Sequence, residues 1–185
     1  MNSKSIFSTL LILSFMFSFS QSYESHKYET LYSQDNFEVR KYEPVLKAKT
    51  YSDKGSNNNF GKLFRYISGY NEKNQKISMT TPVYMKEKNN GSMMEFVLPA
   101  NFNESNTSKP LSKEVELYMD NGGTYASISY GGYSNSVKRK KYTSRLSDII
   151  LKMNLDKIGD FVYLSYDSPY KFYNRKNEVI VEVNY

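Results

Sequence analysis

The chain has 185 residues, a formal net charge of +6, no cysteine and a single histidine. Without cysteine there is no disulfide, thiol nucleophile, cysteine-bound zinc, iron–sulfur cluster or thiolate-bound haem. One histidine argues against a Ser-His-Asp triad, and a modest positive charge spread along the chain favours anionic ligands without indicating a nucleic-acid-binding protein.

The N-terminal residues predict a signal peptide. Lys4 precedes an apolar run, Ile6 to Phe19, that only Ser and Thr interrupt, and Ser18-Phe19-Ser20 offers small residues for a signal peptidase. An uncleaved membrane anchor is the alternative, but it normally needs roughly 20 apolar residues. We therefore expect residues 1–20 to be removed, which leaves one domain at residues 21–185 in a secreted or periplasmic protein without stable membrane insertion.

The first half of this domain predicts two strands, a helix and two more strands. The helix is predicted because Phe60, Leu63, Phe64 and Ile67 share one face at the spacing i, i+3, i+4, i+7, and Gly69 ends it. Alternating or short apolar segments predict the strands at Phe37–Tyr42, Val45–Tyr51, Ile77–Met85 and Met93–Leu98.

The second half repeats this order. Its helix has an apolar face of Tyr142, Leu146, Ile149, Ile150 and Met153. Helices that interrupt antiparallel hairpins predict an α+β domain, with helices packed on a curved sheet and two pseudo-symmetric halves. The four strands of this half are predicted at Val115–Met119, Tyr125–Tyr130, Phe161–Tyr166 and Glu178–Val183.

The residues offer no catalytic or metal-binding constellation. Asp and Glu are dispersed without a metal-hydrolase pair, so we expect no enzyme and no metal site. His26 lies near the predicted mature N-terminus, where a solvated side chain is expected and a metal or haem ligand is the alternative. The basic run Lys138–Lys141 predicts a solvated helix face rather than a nucleic-acid site. Flexible apolar packing, with haem ligation as the alternative, is expected for the strand methionines Met79, Met85, Met93 and Met94.

Six segments in order resemble the SOUL haem-binding protein family. The most diagnostic is Lys76–Val83, which is similar to the family pattern K-I-x-M-T-x-P-V. Six such segments in the right order make the resemblance specific, and it spans residues 28–185. The other five are Phe37–Pro44, Phe60–Gly69, Phe96–Pro99, Tyr130–Tyr133 and Tyr166–Val179.

The resemblance implies a distorted antiparallel β-barrel of about eight strands with two flanking helices. It also implies non-covalent binding of haem or another tetrapyrrole in a shallow apolar groove beside the first helix, with cations near the propionates. The histidine proposed as axial ligand in some members has no counterpart here, so strong axial ligation is not expected. The residues assigned to this site are Phe60, Lys62, Leu63, Phe64, Arg65, Ile67 and Lys171.

Some of these assignments have structural alternatives. Core packing is the alternative for the four hydrophobic residues of the first helix, and we expect it for at least half of them. Arg175 and Glu178 are candidates for a buried polar pair that fixes the closing loop.

The sequence leaves three possible functions. The favoured one is an exported, monomeric tetrapyrrole carrier or scavenger without a nucleic-acid partner. A general hydrophobic-ligand or protein-interaction module on the same fold is the alternative, because a fold does not fix a function. A small hydrolase has the least support, since the chain lacks paired acids and has one histidine.

Overall fold

The computed structural model describes residues 23–53, 58–88 and 90–185, so the predicted signal peptide at residues 1–20 lies outside the described residues. Two helices are present, α1 at Asn59–Ile67 and α2 at Ser136–Lys152. The strands are β1 Glu24–Ser25, β2 Tyr28–Gln34, β3 Phe37–Tyr42, β4 Val45–Asp53, β5 Thr80–Thr81, β6 Val83–Lys88, β7 Gly91–Val97, β8 Val115–Asp120, β9 Gly123–Gly131, β10 Asp156–Ser165 and β11 Lys176–Asn184.

Nine strands form one curled antiparallel sheet in the order β2-β3-β9-β11-β10-β6-β7-β4-β8. The short strands β1 and β5 pair in parallel beside it. The order is symmetric about the β10–β6 junction, because β3-β9-β11-β10 on one side corresponds to β8-β4-β7-β6 on the other. The first strand of each half therefore pairs with a strand of the other half: β3 pairs with β9, and β8 pairs with β4. The α+β class and the SOUL-like antiparallel architecture predicted from the sequence are confirmed.

Two strand predictions needed correction. The strand predicted at Ile77–Met85 is divided at Pro82 into β5 and β6, because proline has no N–H to continue the ladder. Strand β2 was not predicted at all. It is an edge strand that is exposed along nearly its whole length, so no alternation of apolar and polar residues marks it.

The two faces of the sheet differ. On one face, called here the helix face, α1 covers β4 and β7 while α2 covers β9, β10 and β11. Leu63 of α1 and Leu146 of α2 are both fully buried in the cores beneath these helices. Among residues 23–53, 58–88 and 90–185, the buried members of the hydrophobic clusters all lie at Phe37 or later. We therefore expect residues 23–185 to fold without the preceding residues.

The opposite face, called here the polar face, carries buried charges beside a smaller hydrophobic cluster. Strand β4 shows the alternation, since Leu46 and Ala48 pack in the α1 core while Lys47 lies over the ring of Tyr84. The hydrophobic cluster there consists of Tyr84, Val97, Val162, Leu164 and Ile180.

Candidate functional site

A groove runs between α1 and α2 on the helix face. Its floor is the junction of the two halves, where β6 pairs with β10. A cleft of about 250 Å³ lies in it, lined by Asn59 of α1, Met85 of β6, Met94 of β7, Arg139 of α2 and Tyr163 of β10 among others. Side chains from both helices and from both halves of the sheet therefore meet in the groove.

One flank of α1 carries a pair of exposed aromatic rings, which follow Asn59 of the cleft lining along the helix. Phe60 and Phe64 are 43% and 49% exposed, and their rings stack with centroids 5.8 Å apart and an interplanar angle of 13°. Phe60 also meets the buried ring of Phe96 edge-on at 5.3 Å, which turns this flank of α1 toward β7. Two adjacent exposed phenylalanines at i and i+4 form an apolar patch of the kind that marks a ligand surface.

Asn59 fixes the start of this helix against the sheet. Its side chain is buried, and Nδ2 donates to the Ser92 carbonyl at 3.0 Å and to Ser92 Oγ at 3.1 Å. Its Oδ1 accepts a hydrogen bond from Ser52. Since these partners lie on β7 and β4, Asn59 fixes the start of α1 on the sheet. This also fixes the position of Phe60, the next residue of the helix.

Arg139 forms the α2 side of the cleft. Its guanidinium lies 2.9 Å from Glu87 and 5.3 Å from the ring centre of Tyr163. Its Nε is buried without a hydrogen-bond partner among the described residues, while 27% of the side chain is exposed, so the exposed part of this cation is available to an anionic ligand group. Arg139 was not among the predicted site residues, because the whole basic run Lys138–Lys141 was expected to be solvated. Helical spacing was the available signal, because Arg139 stands three and seven residues before Tyr142 and Leu146.

The structure separates the residues that were predicted on α1. Leu63 and Ile67 are 0% and 4% exposed, so they belong to the core, as the alternative expected. Lys62 lies on the flank away from the phenylalanine pair, where Nζ is 2.8 Å from Glu114 and donates to the Tyr51 carbonyl at 3.3 Å. Arg65 rests over the ring of Tyr70 at 4.3 Å. Of the predicted α1 residues, Phe60 and Phe64 are the two that stack on each other and remain exposed.

The remaining predicted residue, Lys171, lies in the loop of residues 166–175. This loop leaves the sheet at the end of the groove floor, because Ser165 pairs with Val83. Lys171 Nζ lies 2.5 Å from Asp167 Oδ1. Burial raises the pKa of Asp167, but the hydrogen bonds and charge of Lys171 and its neighbours outweigh burial and lower it overall.

Arg175 shapes the same loop from within. Its Nη1 donates to the carbonyls of Ser168 and Lys171, both at 2.6 Å. The predicted pair with Glu178 is wrong, because Glu178 binds Arg40 of β3 on the polar face instead. Arg175 thus fixes the loop through backbone carbonyls rather than through a carboxylate.

His26 is buried, so the expectation of a solvated terminal side chain is wrong. The residue is 8% exposed, and its Nδ1 lies 2.8 Å from Tyr84 Oη while Nε2 lies 3.3 Å from the Glu43 carbonyl. Its backbone N–H donates to Thr81, which continues the pairing of β1 with β5. Burial and the nearby charge of Lys47 lower the pKa of His26 to about 4. Because it contacts Tyr84, His26 lies on the polar face, across the sheet from the groove.

Two other clefts do not have these features. The larger, of about 490 Å³, lies at the β8 edge, and its charged lining residues Glu104, Lys109, Lys113 and Glu116 are of both signs. The smaller, of about 180 Å³, lies beside β1. Neither is lined by residues of the two helices, so we take the groove as the candidate site although the cleft at the β8 edge is larger.

Residues 23–53, 58–88 and 90–185 were also considered for metal-binding clusters and for membrane-spanning helices. Within these ranges no three His, Cys, Asp or Glu side chains are grouped to hold a metal ion. None of the helices there is long and apolar enough to cross a membrane.

Comparison with known proteins gives relatives over most of the chain. The family model of the SOUL heme-binding protein matches residues 23–182. Heme-binding protein 2 of Homo sapiens is 30% identical over 158 residues, covering 78% of this chain and 76% of that protein. Heme-binding protein 1 of Mus musculus is 28% identical over 126 residues, covering 64% of this chain and 66% of that protein.

Solved structures with much lower identity share the fold. The C-terminal domain of EcmrR gives a TM-score of 0.59 at 10% identity, covering 85% of this chain and 98% of that one. A hydrolase from Listeria innocua gives 0.55 at 9% identity, covering 83% and 94%. At such identities the likeness concerns the fold alone, whereas the family model covers nearly all described residues. The chain belongs to the SOUL heme-binding protein family.

Proposed function

We propose that this protein is an exported tetrapyrrole-binding protein, a carrier or scavenger, that holds haem or a related macrocycle in the groove between α1 and α2. The observation that carries the proposal is the stacked pair Phe60 and Phe64, which is about half exposed on α1 next to Asn59 of the cleft lining. Family membership and relatives named heme-binding proteins support the ligand class. No catalytic role is proposed.

The dimensions favour a partly exposed macrocycle. A cleft of about 250 Å³ is smaller than the roughly 300–1,000 Å³ of pockets that enclose a drug-sized ligand. One face of a flat tetrapyrrole would cover Phe60, Phe64 and the methionines of the floor, while an edge stays in water. Full burial of a phenylalanine contributes roughly 1.5–3 kcal/mol, so completing the burial of two half-exposed rings is a substantial driving force.

Charge would set the orientation of the ligand. Arg139 offers a partly exposed cation on one wall, and Lys171 stands in the loop at the end of the floor. Both can meet carboxylates, and an arginine fork does so with defined geometry. Since His26 lies across the sheet, the groove would hold the macrocycle by its apolar face and its propionates rather than by a histidine–iron bond.

Haemin titration of residues 23–185, followed by the Soret band, tests the proposal. Changing Phe60 and Phe64 together to Ser should weaken binding at least about tenfold, because it removes most of the apolar wall. The matched control changes Leu111 and Leu151, which are 54% and 79% exposed elsewhere, to Ser and should have little effect. Equal affinity in both double variants would refute the groove as the site.

A second titration separates haem from other apolar anions. Iron-free protoporphyrin should bind within several-fold of haemin, since no strong iron ligand is proposed. A fatty acid should bind much more weakly, because it cannot cover a flat aromatic wall. If the fatty acid binds as well as both porphyrins, the alternative of a general hydrophobic-ligand module replaces the tetrapyrrole proposal.

Export is a separate part of the proposal and rests on the predicted signal peptide. Cleavage after Ser20 or Ser22 would give a mature protein that begins at Gln21 or Tyr23. The intact mass of the protein secreted by its native host tests this. A mass that retains Met1 would contradict export by a cleaved signal peptide.

A further inference from the structure

Helix α2 carries most of the excess positive charge of the chain. Its 17 residues include six Lys or Arg and one Asp, a net charge of +5, against +6 for the whole sequence. Arg139 turns toward the groove, as described above. Lys140, Lys141, Arg145 and Lys152 are exposed.

The outward face of α2 also carries large apolar side chains. Val137 and Leu151 are 75% and 79% exposed. Lys140, Lys141 and Leu151 follow Val137 by three, four and fourteen residues. At this spacing all four side chains lie on one side of the helix. A face that is merely solvated has no need for this mixture of exposed hydrophobic and basic residues.

An aromatic loop tip adjoins the start of this helix. Tyr170, Phe172 and Tyr173 are 90%, 78% and 62% exposed, and Phe172 meets Tyr173 edge-on with ring centres 5.3 Å apart. Such rings bury little area against the domain itself. They are therefore available to a partner that takes aromatic side chains.

Several contacts fix the loop beside α2. Arg175 lies 4.7 Å from the ring centre of Tyr133, which is itself 55% exposed. Asn177 Nδ2 donates to the Gly132 carbonyl at 2.8 Å. Lys138 Nζ donates to the Gly131 carbonyl at 2.9 Å. These contacts place the aromatic loop next to the start of the basic helix.

We propose that this basic–aromatic surface, formed by Tyr133, the outward face of α2 and the tip Tyr170–Tyr173, binds peripherally to an anionic lipid bilayer. Tyr and Phe side chains would enter the headgroup region, where amphipathic aromatic rings are favoured. Lysines would meet the negative surface charge. A nucleic acid would use the lysines but would leave Val137, Leu151 and Phe172 without a partner. The proposal goes beyond tetrapyrrole binding and does not depend on it.

Vesicle co-sedimentation of ligand-free residues 23–185 at low salt tests the proposal. The protein should bind phosphatidylcholine vesicles that contain phosphatidylglycerol and should not bind pure phosphatidylcholine vesicles. Lys140→Glu with Lys141→Glu should weaken binding at least about tenfold. The control Lys109→Glu with Lys113→Glu makes the same change of net charge at the β8 edge and should weaken it less than about twofold.

A charge-neutral variant and a groove variant complete the test. Phe172→Ser with Tyr173→Ser should weaken vesicle binding about tenfold without any change of charge. Phe60→Ser with Phe64→Ser should leave it unchanged, which separates this surface from the tetrapyrrole groove. The proposal is overturned if vesicles with phosphatidylglycerol are not bound, if the two pairs of charge reversals act equally, or if the tip variant binds as well as the parent. Binding of a DNA duplex in place of vesicles, lost in the α2 reversal, would also overturn it in favour of a nucleic-acid surface.

Discussion

The helix face and the polar face of the sheet are built from alternate residues of the same strands, yet they differ in almost every respect. The helix face packs aliphatic side chains under two helices and leaves a groove with exposed aromatic rings between them. The polar face buries charges in pairs. On our proposal the helix face offers the binding surface, while the polar face fixes how the two halves join.

The ion pairs of the polar face connect β3 and β8, the first strands of the two halves, to strands of the opposite half. Glu178 of β11 is fully buried and accepts hydrogen bonds from Arg40 of β3 at 2.7 and 2.9 Å. Burial raises the pKa of Glu178, but the hydrogen bonds and the charge of Arg40 outweigh burial and lower it overall. In the other half, Lys47 of β4 lies 2.5 Å from Asp120 of β8. Because removal of one partner leaves a buried charge unpaired, these pairs resist any change of strand order.

The largest effect is expected on the polar face. Glu178→Ala should lower the free energy of unfolding by about 3 kcal/mol, because the buried guanidinium of Arg40 loses its bidentate partner and keeps only its ion pair with Glu38. Glu116→Ala, which removes an exposed pair with Lys49, should cost at most about 1 kcal/mol. Urea unfolding of both variants at neutral pH measures the difference. Similar costs would show that the buried pair does not hold the halves together.

A smaller effect concerns pH. His26 has a folded pKa of about 4, so the folded state keeps it neutral while the unfolded state takes up a proton near pH 6.5. The stability that this difference contributes is present above pH 6.5 and is lost as the pH falls toward 4, by up to about 3 kcal/mol. The difference in unfolding free energy between the parent and His26→Gln should therefore shrink as the pH falls through this window. A difference that is constant or grows on acidification would contradict the buried neutral histidine.

A variant of His26 also tests which face of the sheet binds the ligand. His26→Ala should leave the haemin spectrum almost unchanged, because His26 lies across the sheet from the groove. Soret spectra of the two proteins at saturating haemin provide the measurement. Loss of the Soret shift in this variant would place the ligand on the polar face.

The smallest effect concerns Lys171 at the end of the groove. Its side chain is 37% exposed and already paired with Asp167, so a propionate contact is worth about 1 kcal/mol, or several-fold in affinity. Lys171→Glu should cost more than Lys171→Ala, and both effects should shrink in high salt. Lys109→Glu at the β8 edge is the matched control. If both reversals to Glu weaken haemin binding equally, the attraction is diffuse and Lys171 has no specific role.

Local sequence patterns predicted most of the helices and strands and part of the candidate site. The apolar stripe of α1 predicted the helix, and it also contained the pair Phe60 and Phe64. Periodicity could not tell which stripe residues face the core, because Phe60 and Leu63 are equally apolar and only the position of β7 decides. The partner of Glu178 was not predictable for a similar reason, since Arg40 is 138 residues away in the chain. Burial of His26 likewise depends on pairing with a distant strand.

Methyl NMR on residues 23–185 with labelled methionines tests the central claim, that the tetrapyrrole binds the helix face between α1 and α2. Met85 and Met94 line the groove, whereas Met119 lies on β8, three strands from β6 and about 14 Å across the sheet. Addition of paramagnetic haemin should broaden the methyl signals of Met85 and Met94 first and leave that of Met119 sharp. Broadening of Met119 while Met85 and Met94 stay sharp would contradict the groove as the binding site.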